Sequence, residues 1–183
     1  NEVLGATCRK LKILYLQNNI IPKLQHLTHL KELEYLNMAL NNVSKIEGLQ
    51  SCEFLKKLDL TVNFVDFDHL EESMNNLQHN HNLRDLFMLG NPCEAGWGDD
   101  FRSYVIAKLP QLVHLDGTEI TKTMRIIAQQ KLPELETELR LRAAKVRVEK
   151  EEKAKAKAEA VTERGKKKKK KESRVVELDE NDN

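Results

Sequence analysis

Four stretches of the chain share one order of apolar and polar positions. They are LKILYLQNNII from Leu11, LEYLNMALNNV from Leu33, LKKLDLTVNFV from Leu55 and LRDLFMLGNPC from Leu83, all of the general form LxxLxLxxNxΦ with Φ apolar. The alternation in LxL predicts a short strand that turns its leucines inward. Between the motifs apolar residues recur at every third position, as Leu24, Leu27 and Leu30 and then Ile46, Leu49 and Cys52, which suits the tighter return half of a coil. The motifs repeat at 22, 22 and 28 residues. Such a period predicts parallel strands stacked coil upon coil, with one insertion before the fourth.

One polar residue keeps a fixed place in this pattern. Asn19, Asn41, Asn63 and Asn91 each follow the inward leucines, where an unpartnered amide is costly. Leaving the strand exposes backbone N–H and C=O groups inside the stack, and a carboxamide has donors and an acceptor to satisfy them. The four asparagines are therefore expected to form a buried ladder, each serving the turn of its own coil and of the next. Four leucine-rich helices do not explain the pattern, because helical periodicity would not hold asparagine at one phase through four units.

The fold class that follows is α/β: a leucine-rich repeat solenoid of 22-residue repeats, with short parallel strands on its concave face. Residues 1–91 are read as the repeats and 92–120 as a C-terminal cap. In the cap FRSYVIAKL offers Phe101, Val105, Ala107 and Leu109 as a covering helix, Pro110 stops it, and Leu112 and Leu115 supply one more short strand. The insertion at 66–82 is expected to bulge from the convex or edge side as a longer helical turn. Its His69, His79 and His81 read as solvated loop residues, since neither Cys, a fixed carboxylate nor an i,i+4 His pair accompanies them.

Charge divides the chain. From Lys122 onward there are 19 Lys and Arg against 13 Asp and Glu, while the residues before it hold 11 against 16, so a net charge of +1 joins an acidic front to a basic back. Residues 121–164 are rich in Glu, Lys, Arg and Ala and predict a charged helical segment, in which Pro133 suits the first turn of a helix running to about Arg164. Leu132, Leu135, Leu139 and Val146 offer a short coiled-coil contact. Residues 165–183 read as a disordered, lysine-rich tail. Its run Lys166–Lys171 suits a solvated linker, a weak polyanion contact or a nuclear import address, and the lack of interleaved aromatics argues against specific nucleic-acid binding.

No apolar run reaches the ~18 residues of a membrane span, and no secretory signal opens the chain. Cys8, Cys52 and Cys93 are too few and scattered for a disulfide framework or a zinc site, which fits a reducing compartment. The chain starts at Asn1 and is read as opening partway through a structural unit, so an upstream portion is expected.

LKILYLQNN, LEYLNMALNNV, LKKLDLTVNF, NLQHNHNLRDLFMLGNPC and LPQLVHLDGTEI, in that order, resemble the leucine-rich axonemal dynein assembly factors of the tilB type over residues 9–125. The resemblance implies a cytoplasmic, cilium- or flagellum-associated factor that preassembles dynein arms. Its implied partners are other assembly factors, chaperone machinery and dynein chains. Family members continue past a charged region into a β-sandwich domain of the co-chaperone type, and the residues here stop short of one. A structural subunit resident in the axoneme and a phosphatase- or spliceosome-type repeat regulator remain the alternatives.

Strand residues that alternate with the leucines face the concave side. They form columns Ile13, Tyr35, Lys57, Asp85; Tyr15, Asn37, Asp59, Phe87; and Gln17, Ala39, Thr61, Leu89. Exposed aromatics in such a row are favoured protein-binding anchors, so Tyr15, Gln17, Tyr35, Asn37, Lys57, Asp59, Asp85 and Phe87 are the candidate binding residues. Tyr15 and Tyr35 packing on each other is the competing reading. No Gly-rich phosphate loop, GxSxG elbow or motif-placed carboxylate pair points to catalysis, and no cofactor is implied.

Overall fold

A computed structural model describes residues 8–179. In chain order its elements are β1 (Ile13–Tyr15), β2 (Tyr35–Asn37), β3 (Lys57–Asp59), α1 (Phe67–Leu77), β4 (Asp85–Phe87), α2 (Pro92–Ala95), α3 (Asp99–Lys108), β5 (His114–Leu115), β6 (Thr118–Glu119) and α4 (Lys122–Asp179). The strands form one sheet in the order β1 to β6. All neighbours are parallel except β5 and β6, which are antiparallel. Leu14, Leu36, Leu58, Leu86 and Leu115 lie side by side in register, and the last four are fully buried. The return leucines Leu24, Leu27, Leu30 and Leu49, with Ile46 and Cys52, fill the other half of the core.

Inside the stack the asparagine ladder forms, with its direction reversed from expectation. Asn63 Nδ2 donates to Leu60 O (3.1 Å) in its own coil and to Met38 O (2.9 Å) in the preceding one, and its Oδ1 accepts from Val43 N (2.9 Å). Asn41 and Asn91 repeat the arrangement, reaching back to Leu16 O and Ile21 N and to Leu60 O and Val65 N. The turn that seats each amide is left-handed at the residue before it, with φ of 56° at Leu40, 53° at Val62 and 74° at Gly90. Asn19 departs from expectation. It is exposed, and its Nδ2 bonds only Leu16 O and Gln17 O of its own coil, because among the described residues no coil precedes it.

The last coil carries no asparagine, and Asp116, just after β5, serves the preceding turn instead. Its Oδ1 accepts from Met88 N (2.6 Å) and Leu89 N (3.1 Å). Asp116 and Gly117 both have positive φ, 53° and 76°, the backbone of a two-residue type I′ hairpin turn that joins β5 to β6. Burial holds the Asp116 carboxyl above the usual carboxylate range, although the two amides oppose this. The folded state therefore grips this proton more tightly than the unfolded chain does. The site's contribution to stability is complete below the ordinary Asp range and is lost as pH rises through the raised folded value. Asp116→Asn keeps the acceptor without the charge. It should melt no lower than the parent at pH 7, and its advantage should vanish on acidification to about pH 3. Asp116→Ala orphans both amides and should cost about 1–3 kcal/mol.

The insertion is a packed helix rather than a bulge. In α1, Leu70, Met74 and Leu77 are fully buried, and Asp66 caps its N-terminus by accepting from Phe67 N. Apolar residues at i, i+4 and i+7 give it a face to bury. His69 is a half-buried residue of α1 and not a loop residue, while His79 and His81 are exposed. In the cap, α3 buries Phe101, Tyr104, Val105, Ile106 and Ala107.

The compact unit runs through Ala144 and so includes the start of α4. This helix begins at Lys122, not near Pro133. Thr121 Oγ1 caps it by accepting from Met124 N (3.2 Å), and Pro133 lies exposed within it. The leucines read as a coiled-coil seam are used inside the chain: Leu135 and Leu139 are buried, with Ala128 and Ala143. Around them Lys108 pairs with Glu136, Arg140 with Glu71, and Gln129 Nε2 donates to Ala107 O (2.9 Å). Arg142 donates to Gly96 O (3.0 Å) and covers the rings of Phe67 and Trp97. The second unit, from Lys145, is the remainder of the helix. Its backbone passes the predicted end at Arg164 and runs through Lys166–Lys171 to Asp179. Lysine, glutamate and arginine are strong helix formers.

Candidate functional site

The concave face is built by strand alternation: the leucine in the middle of each strand points in, and the residues on either side point out. Register brings Ile13, Tyr35, Lys57 and Asp85 into one column and Tyr15, Asn37, Asp59 and Phe87 into the next. Seven of the eight candidate residues lie in these columns, and Gln17 follows β1. Tyr15 is 58% exposed and Gln17 is exposed, whereas Tyr35, Asn37, Lys57, Asp59, Asp85 and Phe87 are half-buried.

The side chains are tied to each other. Tyr15 meets Tyr35 edge-on, with ring centroids 5.4 Å apart, so the competing cross-strand packing is present while Tyr15 keeps most of its surface in solvent. Lys57 Nζ sits 4.8 Å from the Tyr35 centroid and 5.0 Å from that of Phe87, between two rings whose faces attract cations. Asn37 Nδ2 donates to the Tyr35 hydroxyl (3.2 Å), and Asn37 Oδ1 and Asp59 Oδ1 accept from Ala39 N and Thr61 N at 3.0 Å. Both therefore fold back over the ends of their own strands.

The columns extend one residue beyond the fourth motif. His114 stands beside Asp85, with Nδ1 2.8 Å from Asp85 Oδ1. Its signal was the outward position next to inward Leu115 in VHLDG. One residue before the strands, Glu34 bridges Lys12 (3.2 Å) and Lys56 (2.6 Å). The hydrogen bond from Lys56, then that from Lys12, holds the Glu34 carboxyl below its usual range.

Reactive groups lie elsewhere and are muted. Cys52 and Cys93 are buried, and burial pushes the Cys52 thiol up to about 11 and raises Cys93 as well. A thiol so buried and raised is a poor nucleophile at neutral pH. Among the described residues no three His, Cys, Asp or Glu gather as metal ligands, and no helix is long and apolar enough to cross a membrane.

Single-strand parallel coils, a buried asparagine ladder and a sealed last coil define a leucine-rich repeat solenoid. The leucine-rich repeat family model matches residues 1–143, and the chain belongs to that family. Over 138 residues it is 46% identical to the dynein axonemal assembly factor 11 of Mus musculus, a match covering 75% of this chain and 28% of that protein. It is 41% identical over 125 residues to protein tilB of Drosophila melanogaster, covering 68% of this chain and 30% of that one. The chain thus spans less than a third of the length of either relative. Among solved structures, a chain of the Drosophila melanogaster SNF/U2A′ complex superposes with a TM-score of 0.65 at 29% identity, covering 74% of this chain and 79% of that chain.

Proposed function

We propose that the chain is a non-enzymatic protein-binding scaffold for the cytoplasmic preassembly of axonemal dynein arms. The observation that carries this reading is the 46% identity, along the repeats, to a protein named dynein axonemal assembly factor 11. The sheet supports it physically. Half-exposed aromatics on a rigid curved face bind protein at little entropic cost, because their side chains are already ordered by one another. Assembly factors, chaperone machinery and dynein chains are the partners this reading names.

A tagged chain in ciliated cells should co-purify with dynein chains from cytosol and be absent from detergent-extracted axonemes. The double variant Tyr15→Ala, Phe87→Ala should recover about tenfold less partner at an unchanged melting temperature. Retention in extracted axonemes would point instead to a resident structural subunit. The likeness to the SNF/U2A′ complex chain favours a second reading, a spliceosome-type repeat protein, for which the tagged chain would be nuclear.

A further inference from the structure

We propose that the cleft at the entry ends of β1, β2 and β3 receives one acidic side chain of a protein partner, and that Lys57 is its ion-pairing residue. The proposal rests on the protein-scaffold reading above. The cleft has a volume of about 410 Å³ and is lined by Lys12, Ile13, Glu34, Tyr35, Lys56 and Lys57. Of its three lysines, Lys12 and Lys56 share Glu34 as their carboxylate. Lys57 has none among the described residues. Asp85, its partner in register, is engaged by His114, and Asp59, two residues on in the same strand, by the amide of Thr61.

What holds Lys57 instead are two aromatic rings, Tyr35 and Phe87. The rings fix the position of the ammonium and fill none of its three hydrogen-bond donors. A half-buried cation that is already ordered, with donors to spare, is preorganised for an anion. Ile13, 50% exposed, and Tyr35 give an apolar floor beside it for the neighbouring residue of the partner.

The surrounding charges select the anion. Asp85 stands beside Lys57 on β4 and Asp59 two residues on in β3, so a polyanion such as RNA would meet carboxylates next to Lys57. A single Asp or Glu with aliphatic or aromatic neighbours avoids that repulsion, and the chemistry favours a protein segment of this type.

The test pans a random dodecapeptide library on the full chain and measures binding of an enriched, synthesised peptide by fluorescence anisotropy. Enriched peptides should carry one Asp or Glu beside an apolar residue. Lys57→Gln should bind about tenfold more weakly, Lys57→Arg should bind nearly as well as the parent, and Lys168→Gln in the tail should change nothing. Equal melting temperatures of parent and Lys57→Gln separate lost binding from lost folding. Failure to enrich acidic peptides, equal binding by Lys57→Gln, or Lys57-dependent binding of a short oligouridine would each overturn the proposal. Should Lys57→Gln keep its dynein-assembly partners in cells while losing no peptide, the scaffold reading stands and this one falls.

Discussion

Asn63→Ala should lower stability by about 1–3 kcal/mol, while Asn19→Ala should cost less than about 0.5 kcal/mol. The two residues hold the same place in the repeat, and their surroundings set the difference. Removing the Asn63 amide strands Val43 N in a buried layer, at about 1–3 kcal/mol for a group that no water reaches, while Met38 O keeps Asn41 and Leu60 O keeps Asn91 as donors. Asn19 is exposed, and the carbonyls it serves can turn to solvent. Urea midpoints at an unchanged slope would measure both. Asn63→Asp should be no milder than alanine, because it sets a negative charge against two carbonyls. Asp116 tolerates its carboxylate because the groups facing its Oδ1 are two N–H donors. Equal losses at positions 19 and 63 would overturn the buried-ladder account.

The second large effect concerns the chain's length. A version ending at Ile120 should be less stable by about 3–6 kcal/mol than one ending at Ala144, since Leu135 and Leu139 each bury about 1.5–3 kcal/mol of apolar side chain. The shorter version would also uncover Phe67 and Trp97, which Arg142 shields. Comparing the urea midpoints of the two truncations tests this, and a stable chain ending at Ile120 would refute it. Partner loss after a cut at Ile120 therefore does not identify a tail-binding partner. A cut after Ala144 leaves the folded unit whole.

The repeat was legible because its signal is local and redundant: each strand shows inward leucines, and each turn shows the asparagine. What escaped depends on neighbours distant in sequence. Asn19 carries the same motif as Asn63, and only the coil beneath decides whether its amide is buried. Leu135 and Leu139 have coiled-coil spacing, but the same spacing serves any helix that lays one face on an apolar surface. Pro133 drew the helix start forward because proline favours a first turn, whereas Thr121 supplies the actual cap. In the candidate site the columns could be read from period two, and the lysine between two rings could not, since it arises from three strands in register.

The strand that closes the sheet, β6, reverses direction after the Asp116–Gly117 turn. A further coil running like β1–β5, whether from this chain or from another copy, would have to pair antiparallel to β6 over a strand only two residues long. Head-to-tail stacking into filaments, the standing hazard of a modular spring, thus finds little edge to grip at this end.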